Sequence, residues 1–304
     1  MSCPFAALEG VFSNRYVVGA VGVGAAVWVA TTAWSATKQR RQAQAKQARR
    51  EAQKKGVVYL YQWPRTGRLH SLSTFCTIVE TYLRLTGTPH EVVDVISSDM
   101  SPTERLPYIE LDGVGTADSE FIMERLAKDL GHGAAPASKL DQATSTLLMR
   151  TLNQSTRLHM ARWLWVDNTS VMRDEFTSAG KAFGTPSLVV TFLCRTSRKK
   201  SISLLNAEGQ GDLSDTEYHR KFLDDIKAVE AILAGFADGK VQLSQAAIAT
   251  AYTYLAYLSI APACPAINHM KNSAVLKRFL ASTDRMAFPD SSTRVPHRGA
   301  LPEA

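Results

Sequence analysis

A run of nineteen residues without a charged side chain, from Tyr16 to Trp34, constrains this sequence more than any other feature. As a helix rising 1.5 Å per residue, the run would extend over roughly 28 Å, close to the thickness of the hydrocarbon core of a bilayer. Arg15 and Lys38 bracket it, and two tryptophans fall in its second half, where they suit a membrane interface. The pattern predicts a single transmembrane anchor over residues 16–34, after an N-terminal segment of residues 1–15.

Two other interpretations of this run were weighed. A cleavable secretory signal normally carries its positive charge before a shorter apolar stretch, whereas here the charge follows a long one. A buried core helix would have to belong to the domain that follows, but the sequence after residue 55 makes a complete domain without it. The anchor is therefore the favoured interpretation.

The segment of residues 38–55 holds eight basic residues and one acidic residue, so it carries the entire formal charge of +7. The rest of the chain is formally neutral, which argues against a nucleic-acid-binding domain. Strong helix formers fill this segment and predict a solvated, basic helical stalk over residues 35–55. Basic flanks stay on the cytosolic side of a membrane, so the C-terminal domain is expected in the cytosol. The arrangement resembles the signal anchors of the mitochondrial outer membrane, with the endoplasmic reticulum as the alternative location.

Residues 56–131 show the order β-α-β followed by β-β-α. Short β-branched and aromatic runs predict strands, and three- and four-residue apolar spacing predicts helices. Gly131 is expected to end the last helix of this part. The order is typical of the thioredoxin fold. The predicted elements are strands over 57–62, 90–95, 108–111 and 114–117, with helices over 71–85 and 119–130.

Residues 138–287 are predicted to form an all-helical C-terminal domain, and residues 288–304 a disordered tail without periodicity. Ser214 and Glu217 form a capping-box pattern at the start of one helix, and Ser244 suits the N-cap of another. The fold class is therefore an α/β thioredoxin-like domain followed by an all-α domain, which is the layout of glutathione transferases. The predicted helices cover 138–176, 186–205, 215–236, 244–260 and 272–285.

Several sequence blocks carry a closer resemblance, to the failed axon connections family, whose members are glutathione-transferase-like relatives of the metaxins. The similarity covers about residues 56–289. Two departures are a Thr74 where relatives tend to have proline and an Asp212 where they tend to have arginine. The resemblance implies the fold and membrane association more firmly than it implies catalysis. The blocks are VVYLYQWPR, SLSTFCTIVETYLRLTGTPHE, LPYIELDG, ADSEFIMERLAKDLG, ARWLWVDN and GQGDLSDTE.

The glutathione-transferase layout implies a glutathione-like site along three segments. Leu106 would precede a cis proline, Pro107, and present its backbone to the cysteinyl part of glutathione. Asp118 and Ser119 open a helix whose free N–H groups suit the γ-glutamyl carboxylate, although plain N-capping explains both residue types as well. Ser73 is the best match for the residue that would activate the thiol, with an N-cap role as the alternative.

Arg65, Arg68 and Arg105 flank this predicted site, where an anionic ligand would use them, although solvated loop arginines are the commoner outcome. Cys76 lies one turn into the first helix and has no CxxC partner, so a redox protein is the least favoured interpretation. The seven histidines and four cysteines show no metal-ligand spacing. We expect no cofactor other than glutathione as a possible substrate.

Two functions follow as expectations. The first is a non-enzymatic, membrane-tethered adaptor of the mitochondrial outer membrane that acts in protein assembly or organelle contacts through protein partners. The second is a true glutathione transferase or peroxidase that is held at a membrane and acts on lipophilic electrophiles. A homodimer fits either, because this fold often dimerises.

Overall fold

A computed structural model describes residues 53–289, apart from 97, 99–100, 102, 132–135 and 137. The first half of the described chain contains four strands and two helices. β-branched and aromatic residues are frequent in the strands. Each of the two helices is followed by a glycine with positive φ, Gly87 or Gly131. The elements are β1 (Val58–Gln62), α1 (Thr74–Leu85), β2 (His90–Asp94), β3 (Tyr108–Leu111), β4 (Val114–Ala117) and α2 (Ser119–Leu130).

The four strands form one sheet in the order β2-β1-β3-β4. β1 runs parallel to β2 and antiparallel to β3, and β3 pairs with β4 as the predicted hairpin. Alternation along β1 separates its side chains between the two faces of the sheet. Val58 and Leu60 join a core with Ile78 of α1 and Ile122 of α2, all fully or almost fully buried. This is the thioredoxin-like half that the element order predicts.

The second half is helical. An almost continuous helical segment comes first, in which α-helix alternates with two short π-helical turns, Thr151–Thr156 and Trp163–Asp167. Six further α-helices follow it among the described residues, with a short 3-10 helix at Gln210–Asp212. The helices are α3 (Lys139–Arg150), α4 (Arg157–Arg162), α5 (Thr169–Ala182), α6 (Ser187–Ala207), α7 (Asp215–Ala237), α8 (Gln245–Ser259), α9 (Pro265–Asn272) and α10 (Ala274–Ala287).

Local signals placed several of these ends correctly. Ser214 and Glu217 form the predicted capping box at the start of α7. The Ser244 side chain accepts a hydrogen bond from the Ala247 N–H at the start of α8. Gly131 ends α2 in the left-handed conformation, with φ of 66°, that glycine adopts without strain.

Three predictions about the helical part are corrected. The helix expected over 138–176 is interrupted at Asn168, whose φ of −129° and ψ of 57° lie outside the helical region, and the chain continues helically to Ala182. The helix Pro265–Asn272 was not predicted. Phe288, expected at the start of a disordered tail, is buried and stacks on His70, because the two rings meet across the domain interface.

The predicted anchor over 16–34, nearly all of the stalk, and residues 290–304 lie outside the described residues. Within the part of the chain that the structure covers, no helix combines the length and apolar character that a membrane span requires.

Candidate functional site

The residues predicted to form a site lie where three chain segments meet at one edge of the sheet. Tyr61 of β1 pairs with Tyr108 of β3, and Tyr108 pairs with Ala117 of β4. Because these pairings are antiparallel, the end of β1, the start of β3 and the end of β4 share this edge. The β1–α1 loop, the Leu106–Pro107 pair and the start of α2 therefore converge there.

The Leu106–Pro107 peptide bond is cis, as predicted. Pro107 is buried and Leu106 is half-buried directly before β3. Arg105, one residue earlier, is exposed to solvent. The backbone of this turn thus faces the same edge of the sheet as the start of α2.

Asp118 and Ser119 form the start of α2. The Asp118 carboxylate accepts a hydrogen bond of 3.0 Å from the Glu120 N–H. This side chain therefore caps the helix, as the N-capping alternative for Asp118 predicts. Asp118 adopts φ of 73°, a region that non-glycine residues rarely occupy and that costs about 1–3 kcal/mol. Ser119 is buried. Capping uses one carboxylate oxygen of Asp118 in this arrangement.

Ser73 occupies the N-cap position of α1, but its side chain makes no capping hydrogen bond. The Ser73 backbone N–H donates to the Ser71 hydroxyl over 3.3 Å. The Ser73 hydroxyl lies instead against the thiol of Cys76. The N-cap alternative is therefore correct for the backbone position of Ser73 and incorrect for its side chain.

Cys76 is fully buried in the first turn of α1. Burial raises the pKa of its thiol to about 11, and hydrogen bonds from the Trp63 backbone and from two serine hydroxyls offset only part of that rise. The thiol is therefore neutral at physiological pH, and a neutral, buried thiol is a poor nucleophile. This agrees with the low rank of the redox interpretation.

Arg65 and Arg68, which were predicted to flank an anionic ligand, each form an ion pair with a buried carboxylate, and Arg68 is also exposed to solvent. Arg65 Nη2 lies 2.5 Å from a carboxylate oxygen of Glu80, a residue with no exposed surface. Arg68 pairs with Glu175, which is buried in α5. Although burial opposes ionisation of Glu80, Arg65 and then Arg84 outweigh it and lower the pKa of this carboxyl.

The loop that carries these arginines is held by the helical domain. The Thr66 hydroxyl donates to Glu175, and the Gly67 N–H donates to the Ser178 hydroxyl over 2.9 Å. Further along, the Tyr257 hydroxyl of α8 donates to the Ser71 carbonyl over 2.5 Å. The position of Ser73 is thus set by contacts with a domain that begins about 65 residues later.

A second group of interface residues was not predicted. His70 Nε2 lies 3.1 Å from the Tyr252 hydroxyl, which donates to Asp284 over 2.5 Å, and the His70 ring stacks on Phe288 at 3.6 Å. Periodicity placed Tyr252 in a helix but could not identify its partner 182 residues away. The one local signal for this group was Phe288, an aromatic residue directly after α10 that could pack against the domain.

A shallow apolar groove lies beside this edge. The β1–α1 loop forms one wall with Trp63 and Leu72, and α5 and α6 form the other. Leu72 is the immediate neighbour of Ser73, so the groove begins next to the predicted activating residue. Within the described part of the chain, no three His, Cys, Asp or Glu side chains gather closely enough to hold a metal ion. The opposite wall consists of Phe176, Ala179, Gly180, Phe183, Val190 and Leu193.

A thioredoxin-like sheet with a cis proline before β3, joined to an all-helical domain across this groove, defines a glutathione-transferase-like protein. The family model described as the glutathione S-transferase N-terminal domain matches residues 74–170. This match supports a glutathione-transferase-like assignment for the chain. It is 30% identical over 253 residues to Failed axon connections from Drosophila melanogaster, an alignment that covers 78% of this chain and 59% of that protein. The chain thus spans well under two thirds of the length of this relative.

A solved structure with a TM-score above 0.5 agrees on the fold. Glutathione transferase GSTFuA2 from Phanerochaete chrysosporium superposes with a TM-score of 0.52 at 10% identity and covers 76% of this chain and 98% of its own. Glutathione S-transferase III in its apo form has a TM-score of 0.47 at 18% identity and covers 81% and 99%. At this identity the first likeness concerns the fold alone.

Proposed function

We propose that this protein is a non-enzymatic, membrane-tethered adaptor, in which a glutathione-transferase-like domain presents protein-binding surfaces at the cytosolic face of a membrane. The mitochondrial outer membrane is the proposed location, with the endoplasmic reticulum as the alternative. The anchor over residues 16–34 and the basic flank that follows it support this placement.

The observation that carries the non-enzymatic part is the engagement of the site arginines. Arg65 and Arg68 are the charges in the β1–α1 loop that would attract an anionic tripeptide, and each is already paired with a buried carboxylate. Freeing Arg68 for a ligand would leave Glu175 as an unpaired buried charge, which costs about 3–5 kcal/mol, whereas freeing Arg65 would leave Glu80 paired with Arg84. These residues therefore serve the architecture of the domain.

Glutathione binding provides the first test. Calorimetry on the full chain in detergent, with glutathione up to 10 mM, is expected to show no binding, and the protein should not accelerate conjugation of a standard thiol acceptor. Ser73→Ala provides the control, and should behave like the wild type. Turnover at enzyme-like rates that disappears in Ser73→Ala would overturn the adaptor proposal.

Location and topology are tested together. A fluorescent tag at the C-terminus, combined with protease treatment of intact organelles, should show a mitochondrial signal that protease removes without permeabilisation. A tag protected until the membrane is opened would contradict the cytosolic orientation. A second arm replaces residues 16–34 by an unrelated anchor, and partners recovered by proximity labelling should then persist, because we expect the domain to select them.

A specific observation favours the second candidate, a membrane-tethered glutathione transferase or peroxidase. The apolar groove begins beside Ser73 and is lined by aromatic and aliphatic side chains, which suit a lipophilic electrophile. In this alternative, Leu106, Asp118 and Ser119 hold glutathione. Phe183→Asp on the groove wall would then lower turnover of a lipophilic substrate and leave glutathione affinity unchanged.

A homodimer is part of the proposal. Large apolar side chains are exposed on β4, α2 and α3, and the pair Arg150–Glu120 ties α3 to α2. We expect sedimentation in detergent to give a dimer that Leu147→Asp weakens, whereas an unchanged sedimentation coefficient would exclude this surface. The exposed residues are Val114, Phe121, Leu140 and Leu147.

A further inference from the structure

The helix α6, Ser187–Ala207, contributes an unusually large exposed surface. Leu205 is its single buried residue, although the helix has 21 residues. Its inner side packs on α5, where Gly180 admits Val190 so closely that a Cβ on the glycine would lie 2.3 Å from a Val190 methyl. The helix is therefore held along one side and presents the other to its surroundings.

The outer side of α6 carries a stripe with two distinct halves. Leu188, Phe192, Arg195 and Lys199 are spaced four, three and four residues apart, so they lie on one face of the helix. Leu188 is 82% exposed and Phe192 is 68% exposed. The two basic residues on the stripe are exposed as well.

Neighbouring residues strengthen both halves. Phe183 and Val189 are also exposed and extend the apolar half around the α5–α6 turn. Arg198 and Lys200 bring the basic residues of α6 to four, and α6 contains no acidic residue. The domain as a whole is formally neutral, so this cluster is a local concentration of positive charge.

We infer that the α5–α6 tip and the outer stripe of α6 dock onto an anionic lipid bilayer, with the apolar tip inserted and the basic residues against the headgroups. This rests on the membrane placement proposed above and adds a second, separate contact to the predicted anchor.

The dimensions of α6 suit this contact. Arg195 and Lys199 lie about 10 and 16 Å along the helix axis from Leu188. If the apolar tip inserts about 5–10 Å into the bilayer, the basic residues further along the helix axis lie at the level of the headgroups. Each Lys or Arg near an anionic surface contributes about a fivefold gain in binding.

Charge complementarity selects lipid over other occupants. A second copy related by a two-fold axis through the basic half would bring two basic clusters together, and an axis through the apolar tip would leave both clusters without a counter-charge. An acidic polypeptide would satisfy the basic half but would give Leu188 and Phe192 no apolar environment. A bilayer with anionic headgroups provides both environments at the required separation.

Hydrogen exchange of the full chain in proteoliposomes tests this inference. Amides of residues 183–200 should exchange at least about fivefold more slowly with anionic than with neutral lipid, and 0.5 M salt should reduce the difference. Phe192→Asp and the double variant K199E/K200E should each abolish the protection. Met286→Asp, at a site 62% exposed on another helix, and Lys221→Glu are the matched controls and should retain it.

Flotation with neutral lipid vesicles in 1 M salt tests the predicted anchor separately, because these conditions remove the electrostatic contribution of α6. If the chain does not float, the same exchange experiment with added anionic vesicles still tests α6. Equal exchange in neutral and anionic lipid would overturn the inference. So would protection that rises with protein concentration in detergent, which indicates a second copy, or equal protection by soluble polyglutamate, which indicates an acidic partner.

Discussion

Replacing Glu80 by Gln tests the engagement of the site arginines directly. The Glu80 carboxylate has no exposed surface and accepts from Arg65 at 2.5 Å, from Arg84 at 2.9 Å and from Gln62 at 3.1 Å. Glutamine keeps the shape of the side chain but removes its charge. Its NH₂ group would also replace one acceptor oxygen and face the N–H donors of its neighbours. Two largely buried guanidinium groups, those of Arg65 and Arg84, would then lose the charge of Glu80.

Breaking a buried ion pair from one side costs about 3–5 kcal/mol, and since both arginines keep some solvent contact we expect a loss of about 3 kcal/mol. For a domain of this size that corresponds to a decrease in Tm of about 6–12 °C. Tryptophan fluorescence of the full chain in detergent measures it. Asp129→Asn is the matched control, because it breaks an exposed pair with Arg125 at the same four-residue spacing and should cost less than about 0.5 kcal/mol.

The pH dependence provides a second criterion. The pKa of Glu80 is lowered in the folded protein, so its stabilising contribution is fully present above the unfolded value of about 4.5 and is lost as pH falls through the folded pKa. The difference between wild type and Glu80→Gln should therefore be constant from pH 7 to 5.5 and decrease in more acidic solution. A shift no larger than that of the control, or one independent of pH, would refute the arrangement.

Three further predictions use the same stability and labelling measurements. Gly180→Ala should lower the free energy of unfolding by about 1 kcal/mol net, because the clash with Val190 exceeds the gain in helix propensity; a stabilised variant would contradict the close contact. Tyr257→Phe should cost about 1–3 kcal/mol, because a buried loop carbonyl loses its donor, and a neutral effect would remove that bond from the interface. Iodoacetamide at pH 8 should modify the half-buried Cys194 before Cys76, as read by mass spectrometry, whereas faster labelling of Cys76 would show an accessible thiolate.

Much of the thioredoxin-like half was predictable because its signals are local. β-branched runs identified its strands, and Gly131 identified the end of α2. In the helical half, the Ser214–Glu217 capping box identified the start of α7 in the same way. The cis bond at Leu106–Pro107 followed from the fold pattern together with a proline before a strand. The interruption at Asn168 was missed because the apolar spacing continues across it.

The site depended on contacts that no local pattern encodes. Sequence position alone made Arg65 a candidate ligand residue, whereas packing gave it Glu80 as a partner fifteen residues away. The same holds for Tyr257, which reaches the Ser71 carbonyl across 186 residues. The packing of the two halves determines which helix lies against which loop, and therefore which side chains form these contacts.

The uncharged run of residues 16–34 and its basic flank remain predictions of the sequence alone, because length, apolar character and charge are properties of the chain itself. Which side of a helix meets the core is different. Residues 187–207 are helix-forming in sequence, but it was packing against neighbouring elements, including the contact of Val190 with Gly180, that left Leu188 and Phe192 exposed. The sequence thus determined the elements and the predicted anchor, while tertiary contacts decided which charges are neutralised and which surface is left to bind.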